Sequence, residues 1–151
     1  MPPSRTTSAV QAAPTELVAE GLLVSTVRLA RRLRQLSDAR LTPSQHSVMT
    51  SIHRHGPLTL GALADVERVA PPTISRVVAK LESDGLVERH TDPTDGRIVR
   101  VVVTDRGADM LAAARSRKVA WLGEHLSQLS PEDRDAVARA IGALERLVEL
   151  P

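Results

Sequence analysis

Leu22, Leu29, Leu33 and Leu36 recur at helical spacing through TELVAEGLLVSTVRLARRLRQLSD, and this predicts one long amphipathic helix. LTPSQHSVMTSIHRHG opens with Thr42 at an N-cap, Pro43 at N1 and Gln45 at N3, a capping box, and stops at Gly56. A short helix is expected from Thr59 to about Val66. The next, APPTISRVVAKLESDG, has Pro71 or Pro72 in its first turn and Gly85 as its stop. Its residues Ile74, Val77, Val78 and Leu81 form an apolar stripe, while Thr73, Arg76, Lys80 and Ser83 fall on the other side. The period then changes. GLVERHT and RIVRVVV read as two strands joined by DPTDG, whose Pro93, Asp95 and Gly96 supply turn chemistry. Thr104 caps a helix running through Leu111, Trp121, Leu122 and Leu126, and Ser130 with Pro131, Glu132 and Asp133 starts another. That last helix carries Val137, Ile141, Leu144 and Val148 along one stripe, widened by Ala140, Leu147 and Leu150. The fold class expected is mainly α with a small β-hairpin.

Composition narrows the chemistry. The 151 residues suit one domain, or a small domain with helical extensions, and without Phe or Tyr the core must come from Leu, Val, Ile, Ala and Met. No cysteine is present, which removes disulfides, thiolate nucleophiles, Cys-based zinc sites and thiol redox sensing. The N-terminus lacks the apolar stretch of a signal peptide, and no run approaches the roughly 20 residues of a membrane span, so a cytoplasmic protein with no membrane partner is expected. No Ser/His/Asp, paired-carboxylate or phosphate-loop constellation stands out, so no enzyme and no cofactor are expected. His53 and His55 lie two apart on a helix and face away from each other. His46, His90 and His125 have no nearby ligand pattern, and no metal site is assigned.

Charge is equivocal. Residues 1–40 carry six arginines against three acids, residues 41–104 seven basic against seven acidic, and residues 105–151 seven against eight. Any claim on nucleic acid therefore rests on where individual arginines point.

A short helix, a turn, a polar-faced helix and a hairpin, in that order, make a winged helix-turn-helix, whose second helix enters a major groove. The polar row on that helix suits base edges and phosphates, although an ordinary solvated face reads the same way in isolation. Arg97 lies beside the hairpin tip, where it can enter a minor groove. Asp95 either holds Arg97 or fixes the turn through the backbone.

Leu41 to Leu111 closely resembles the MarR family of bacterial transcription regulators, most specifically in LTPSQ, LGALA, PPTISRVVAKLESDGLVER, DPTDGR and VTDRG. The resemblance implies a homodimer with interlocked N- and C-terminal helices, two winged lobes on a pseudo-palindromic operator of double-stranded DNA, and a ligand cavity between lobe and dimer core. Carried over by position, Thr73, Ser75, Arg76 and Lys80 resemble the recognition-helix contacts and Arg97 the wing arginine, with Asp95 and Gly96 supporting the wing. Two departures stand out: Ala70 where a capping Ser is common, and Gly96 in place of the first of two paired wing arginines.

The organisation expected is a disordered tail over 1–14, a dimerisation helix over 15–40, a DNA-binding lobe over 41–104 and dimerisation helices over 105–151. Leu22, Leu29, Val137, Ile141, Leu144 and Val148 are the interface candidates; the alternative is a three-helix pack within one chain. Trp121 is read as a core or interface residue. Function is expected to be that of a repressor of its own or a neighbouring operon, released by a small aromatic or lipophilic effector, neutral or anionic, held where the first helix meets LTPSQ and the VTDRG helix begins. Arg28, Arg31, Arg32 and Arg34 are near enough in sequence to meet such an anion. A winged helix that only binds proteins is the alternative.

Overall fold

The structure is a computed structural model, and it describes residues 14–36 and 40–150. Most of the expected tail, residues 1–13, lies outside the described residues. Pro14 does not: its carbonyl accepts the amides of Leu17 and Val18 and so begins the first helix, α1, Thr15–Gln35. The chain divides into two units between Arg34 and Gln35. In the first, α1 buries none of its residues; Leu22 is half-buried and Leu29 exposed.

The second unit begins with α2, Pro43–His55, and its start is fully specified by sequence. The Thr42 hydroxyl accepts the Gln45 amide while Gln45 Oε1 accepts the Thr42 amide at 2.8 Å, the reciprocal capping box. Then follow α3, Leu60–Glu67, capped by Thr59, and α4, Pro71–Ser83. Helix α4 ends in a Schellman closure. Leu86 N–H reaches the Leu81 carbonyl, Gly85 N–H reaches Glu82, and Gly85 takes the left-handed φ of 69° that this closure requires.

Strands β1, Val87–Thr91, and β2, Val99–Val103, pair antiparallel with Val87 opposite Val103 and Thr91 opposite Val99. Both are two residues shorter than the sequence pattern suggested. Gly85 and Leu86 belong to the closure of α4, and Ile98 N–H bonds to the Asp95 carbonyl inside the hairpin tip. Leu58 adds a single bridge to Val101 through two backbone hydrogen bonds. Finally come α5, Asp105–Ser127, capped by Thr104, and α6, Pro131–Glu149, capped by Ser130.

One core serves these elements. Met49 and Ile52 from α2, Leu63 from α3, Ile74, Val78 and Leu81 from α4, and Val87 and Val101 from the hairpin are almost wholly buried. Each such side chain contributes about 1.5–3 kcal/mol by leaving water. Met110 and Leu111 bring the start of α5 onto this core. Helix α6 buries nothing: Val137, Ile141, Leu144 and Val148 are all exposed. Trp121 is half-buried on α5, its ring 3.9 Å from that of His125, and it takes no part in the core.

Where α5 meets the hairpin the approach is closest. A Cβ on Gly107 would lie 2.2 Å from the Leu86 carbonyl oxygen, a backbone atom that cannot swing aside. Gly107→Ala is therefore expected to lower stability by about 2–3 kcal/mol in urea unfolding. Gly123→Ala, on the same helix with nothing within 4 Å, should instead raise it by about 1 kcal/mol.

Candidate nucleic-acid interface

The burial of Ile74, Val78 and Leu81 decides what α4 shows to solvent. Thr73, Ser75, Arg76 and Lys80 are all exposed, with Arg76 at the centre of the outer face and Ser75 and Thr73 on its two flanks. The start of this helix is the weak point that the sequence indicated. Ala70 sits at the N-cap in an extended conformation with no side-chain hydrogen bond, leaving the Thr73 amide to the Ala70 carbonyl at 2.9 Å.

The wing is held by its own acids. Asp92 Oδ1 accepts both the hydroxyl and the amide of Thr94, and its other oxygen accepts Arg100 Nε at 3.0 Å. The Thr94 bonds first, then Arg100, hold the Asp92 carboxyl well below the usual carboxylate range. Asp95 does not pair with the Arg97 guanidinium. Its carboxylate accepts the Arg97 backbone N–H at 3.0 Å, which fixes the turn and leaves the Arg97 side chain exposed. Gly96 has a negative φ and open space around it, so the turn does not depend on glycine there.

These pairings explain why bulk charge was uninformative. Glu82 holds Arg89 at 3.1 Å, Asp92 holds Arg100 and Asp84 holds Lys80 at 2.6 Å, so three of the lobe's seven acids are spent on structural cations. Arg76 and Arg97, like Arg54 and Arg68, have no carboxylate partner among the described residues. Lys80, expected on the same footing, is paired with Asp84, which offsets its charge while its other ammonium hydrogens stay exposed.

Two cavities lie between α2 and α5. One, of about 680 Å³, lies between Leu41, Thr42 and Gln45, the end of α4 at Lys80 and Asp84, and Arg106 and Met110 of α5. The other, of about 500 Å³, lies between His46, Thr50 and His53 of α2 and Leu111, Arg115 and Lys118 of α5, with Asp109 at its edge. Burial and then Lys118 lower the pKa of His46; burial and then Arg117 lower that of Lys118. Sequence reading missed this cluster because it compared His53 with His55. The informative spacing is His46 to His53, seven apart and therefore on one face of α2. Among the described residues no three His, Asp or Glu side chains come together to hold a metal, and no helix is long and apolar enough to cross a membrane.

A three-helix lobe with a half-exposed recognition helix and an arginine-tipped hairpin is a winged helix-turn-helix. The family model for the MarR family matches residues 41–99. An HTH-type transcriptional regulator of Mycobacterium leprae is 38% identical over 133 residues, covering 87% of this chain and 93% of that protein. The transcriptional repressor MdtR of Bacillus subtilis is 25% identical over 117 residues, covering 78% of this chain and 76% of MdtR. A solved structure of a candidate transcriptional regulator from Pseudomonas aeruginosa, 29% identical, superposes with a TM-score of 0.81 and covers 92% of this chain and 100% of that one. The chain belongs to the MarR family: it is a transcriptional regulator with a DNA-binding helix-turn-helix and not an enzyme.

Ala70→Ser restores the missing cap. Its hydroxyl should take the Thr73 amide and stabilise the lobe by about 1 kcal/mol, read as a higher urea midpoint at unchanged slope.

Proposed function

We propose that the protein is a cytoplasmic homodimeric repressor that sits on a pseudo-palindromic operator and is released by a small aromatic or lipophilic anion. The observation that carries the DNA contacts is that Arg76, at the centre of the outer face of α4, and Arg97, beside the hairpin tip, are both exposed and make no carboxylate pair. In this reading Thr73, Ser75, Arg76 and Lys80 enter the major groove and Arg97 the adjoining minor groove, with Asp95 fixing the turn at the tip. Residues 41–104 are the DNA-binding lobe. Repression is supported by the likeness to MdtR, a repressor by name.

Dimerisation is assigned to 15–40 and 105–151. Leu22 and Leu29 on α1, with Val137, Ile141, Leu144 and Val148 on α6, are the contacts. A helix with an apolar stripe and no buried residue needs a partner surface, and the family likeness implies a second copy of the chain. Two recognition helices would then address half-sites about 34 Å apart, one turn of DNA.

For the effector, the cavity between α2 and α5 has the fitting chemistry: an apolar wall with Leu111, and His46, His53, Arg115 and Lys118 set against a single acid, Asp109. A ligand wedged there moves α2, and with it the lobe core, relative to α5.

Arg76→Ala should cost about 1–3 kcal/mol of specific binding and relax preference at one base pair per half-site, measured by fluorescence anisotropy on a panel of duplexes; uniform weakening would reassign Arg76 to a phosphate. Arg97→Ala should weaken binding chiefly where the flanks are A·T-rich and the minor groove narrow.

Ile141→Lys should give monomers or insoluble protein and abolish operator binding, because a buried lysine without a partner is costly. Light scattering that still reports a dimer would move the interface elsewhere.

Aromatic acids should bind more tightly as the pH falls from neutrality. The sign follows from His46. Its pKa in the empty cavity is lowered from 6.5, a bound anion raises it again, and so binding takes up a proton in that window. Calorimetry should show this dependence, and His46→Gln should flatten it. An acid that binds yet leaves DNA affinity unchanged would sink the switch, since it has no differential affinity for the two states.

A further inference from the structure

Glu67 is the last residue of α3, immediately before the turn that leads into the recognition helix. Both of its carboxylate oxygens accept hydroxyl hydrogen bonds from α2: Ser47 Oγ donates to Oε2 at 2.8 Å and Ser51 Oγ to Oε1 at 2.5 Å. The serines are four residues apart, so they stand one above the other on α2 and a single carboxylate spans them. Hydrogen bonds to an ionised acceptor are the strong kind, which suits a fastener at a partly exposed position.

The turn beside Glu67 has the same backbone closure as the end of α4 but without its glycine. Its left-handed position is filled by Arg68 at φ 53°, a conformation that side chains other than glycine rarely adopt, and closure relies on Arg68 N–H to Asp65 and Val69 N–H to Ala64. The next helix begins at Ala70 with no side-chain cap. Beside the turn a cavity of about 330 Å³, bounded by Ser47, Glu67, Val69 and Thr73, leaves the start of α4 room to shift.

We infer that Glu67, clamped by Ser47 and Ser51, is a positioning residue that sets the angle of α4 and so aims Thr73 and Arg76 at DNA. The inference rests on the reading of α4 as the DNA-contacting helix. It also accounts for an acid near a surface meant for phosphates. Electrostatics alone would make removal of Glu67 tighten DNA binding; loss of the clamp makes removal weaken it.

The test compares Glu67→Ala, Glu67→Gln and Ser47→Ala/Ser51→Ala with the wild type. Two readouts are used: hydrogen exchange, and binding to a duplex selected by the wild type from random sequence against a scrambled duplex. Glutamine keeps both bonds, its amide oxygen accepting from one serine and its amide N–H donating to the other. Glu67→Ala and the double serine variant should exchange about tenfold faster over residues 68–76, with α5 unchanged, and lose roughly tenfold in preference for the selected duplex. Glu67→Gln should match the wild type in both. Wild-type exchange or wild-type preference in the alanine variants overturns the inference, as does a glutamine variant that behaves like alanine. If Glu67→Ala fails to fold, the double serine variant decides alone. Failure of the DNA reading shows separately, in a wild type that prefers no duplex.

Discussion

Ile74, Val78 and Leu81 lie sealed against Met49, Ile52 and Leu63, and the rest of the lobe depends on that contact. A helix has two sides, and fixing one in a close-packed core fixes the other to within a fraction of a turn. The hairpin packs against the same cluster through Val87 and Val101, so wing and recognition helix share a single rigid reference. Gly107 extends the frame to α5 by letting two backbones touch where any side chain would hold them apart.

Electrostatics in the lobe works by subtraction. A count of charges finds a neutral segment, yet carboxylates at Glu82, Asp84 and Asp92 are matched to particular cations by hydrogen bonds that also brace α4 and the wing. Arg76 and Arg97 stand outside those ion pairs. Such ion pairs contribute little stability individually at exposed positions. Their larger effect is to decide which arginines stay available.

The sequence made the helices legible wherever caps and periodicity agreed. Thr42 with Gln45, Thr104 and Ser130 sit where their hydroxyls were expected, and the stripe of α4 faces inward. Strand ends were less legible, because Gly85–Leu86 and Arg97–Ile98 continue the apolar pattern of the strands while local hydrogen bonds to Glu82, Leu81 and Asp95 draw them into turns instead. Asp95 admitted two roles on paper, and only geometry showed its carboxylate on a backbone amide. The cluster around His46 and Lys118 joins helices more than fifty residues apart, a proximity that no local pattern encodes, and the serine clamp on Glu67 is likewise a contact between helices.

Trp121 has a consequence of another kind. With no tyrosine or phenylalanine and a single tryptophan, all near-ultraviolet emission of the chain comes from one half-buried ring on α5, stacked on His125. The core itself is optically silent. Fluorescence therefore follows the surroundings of one point on a helix outside the core, and the molecule carries its own site-specific dye without any label having been added.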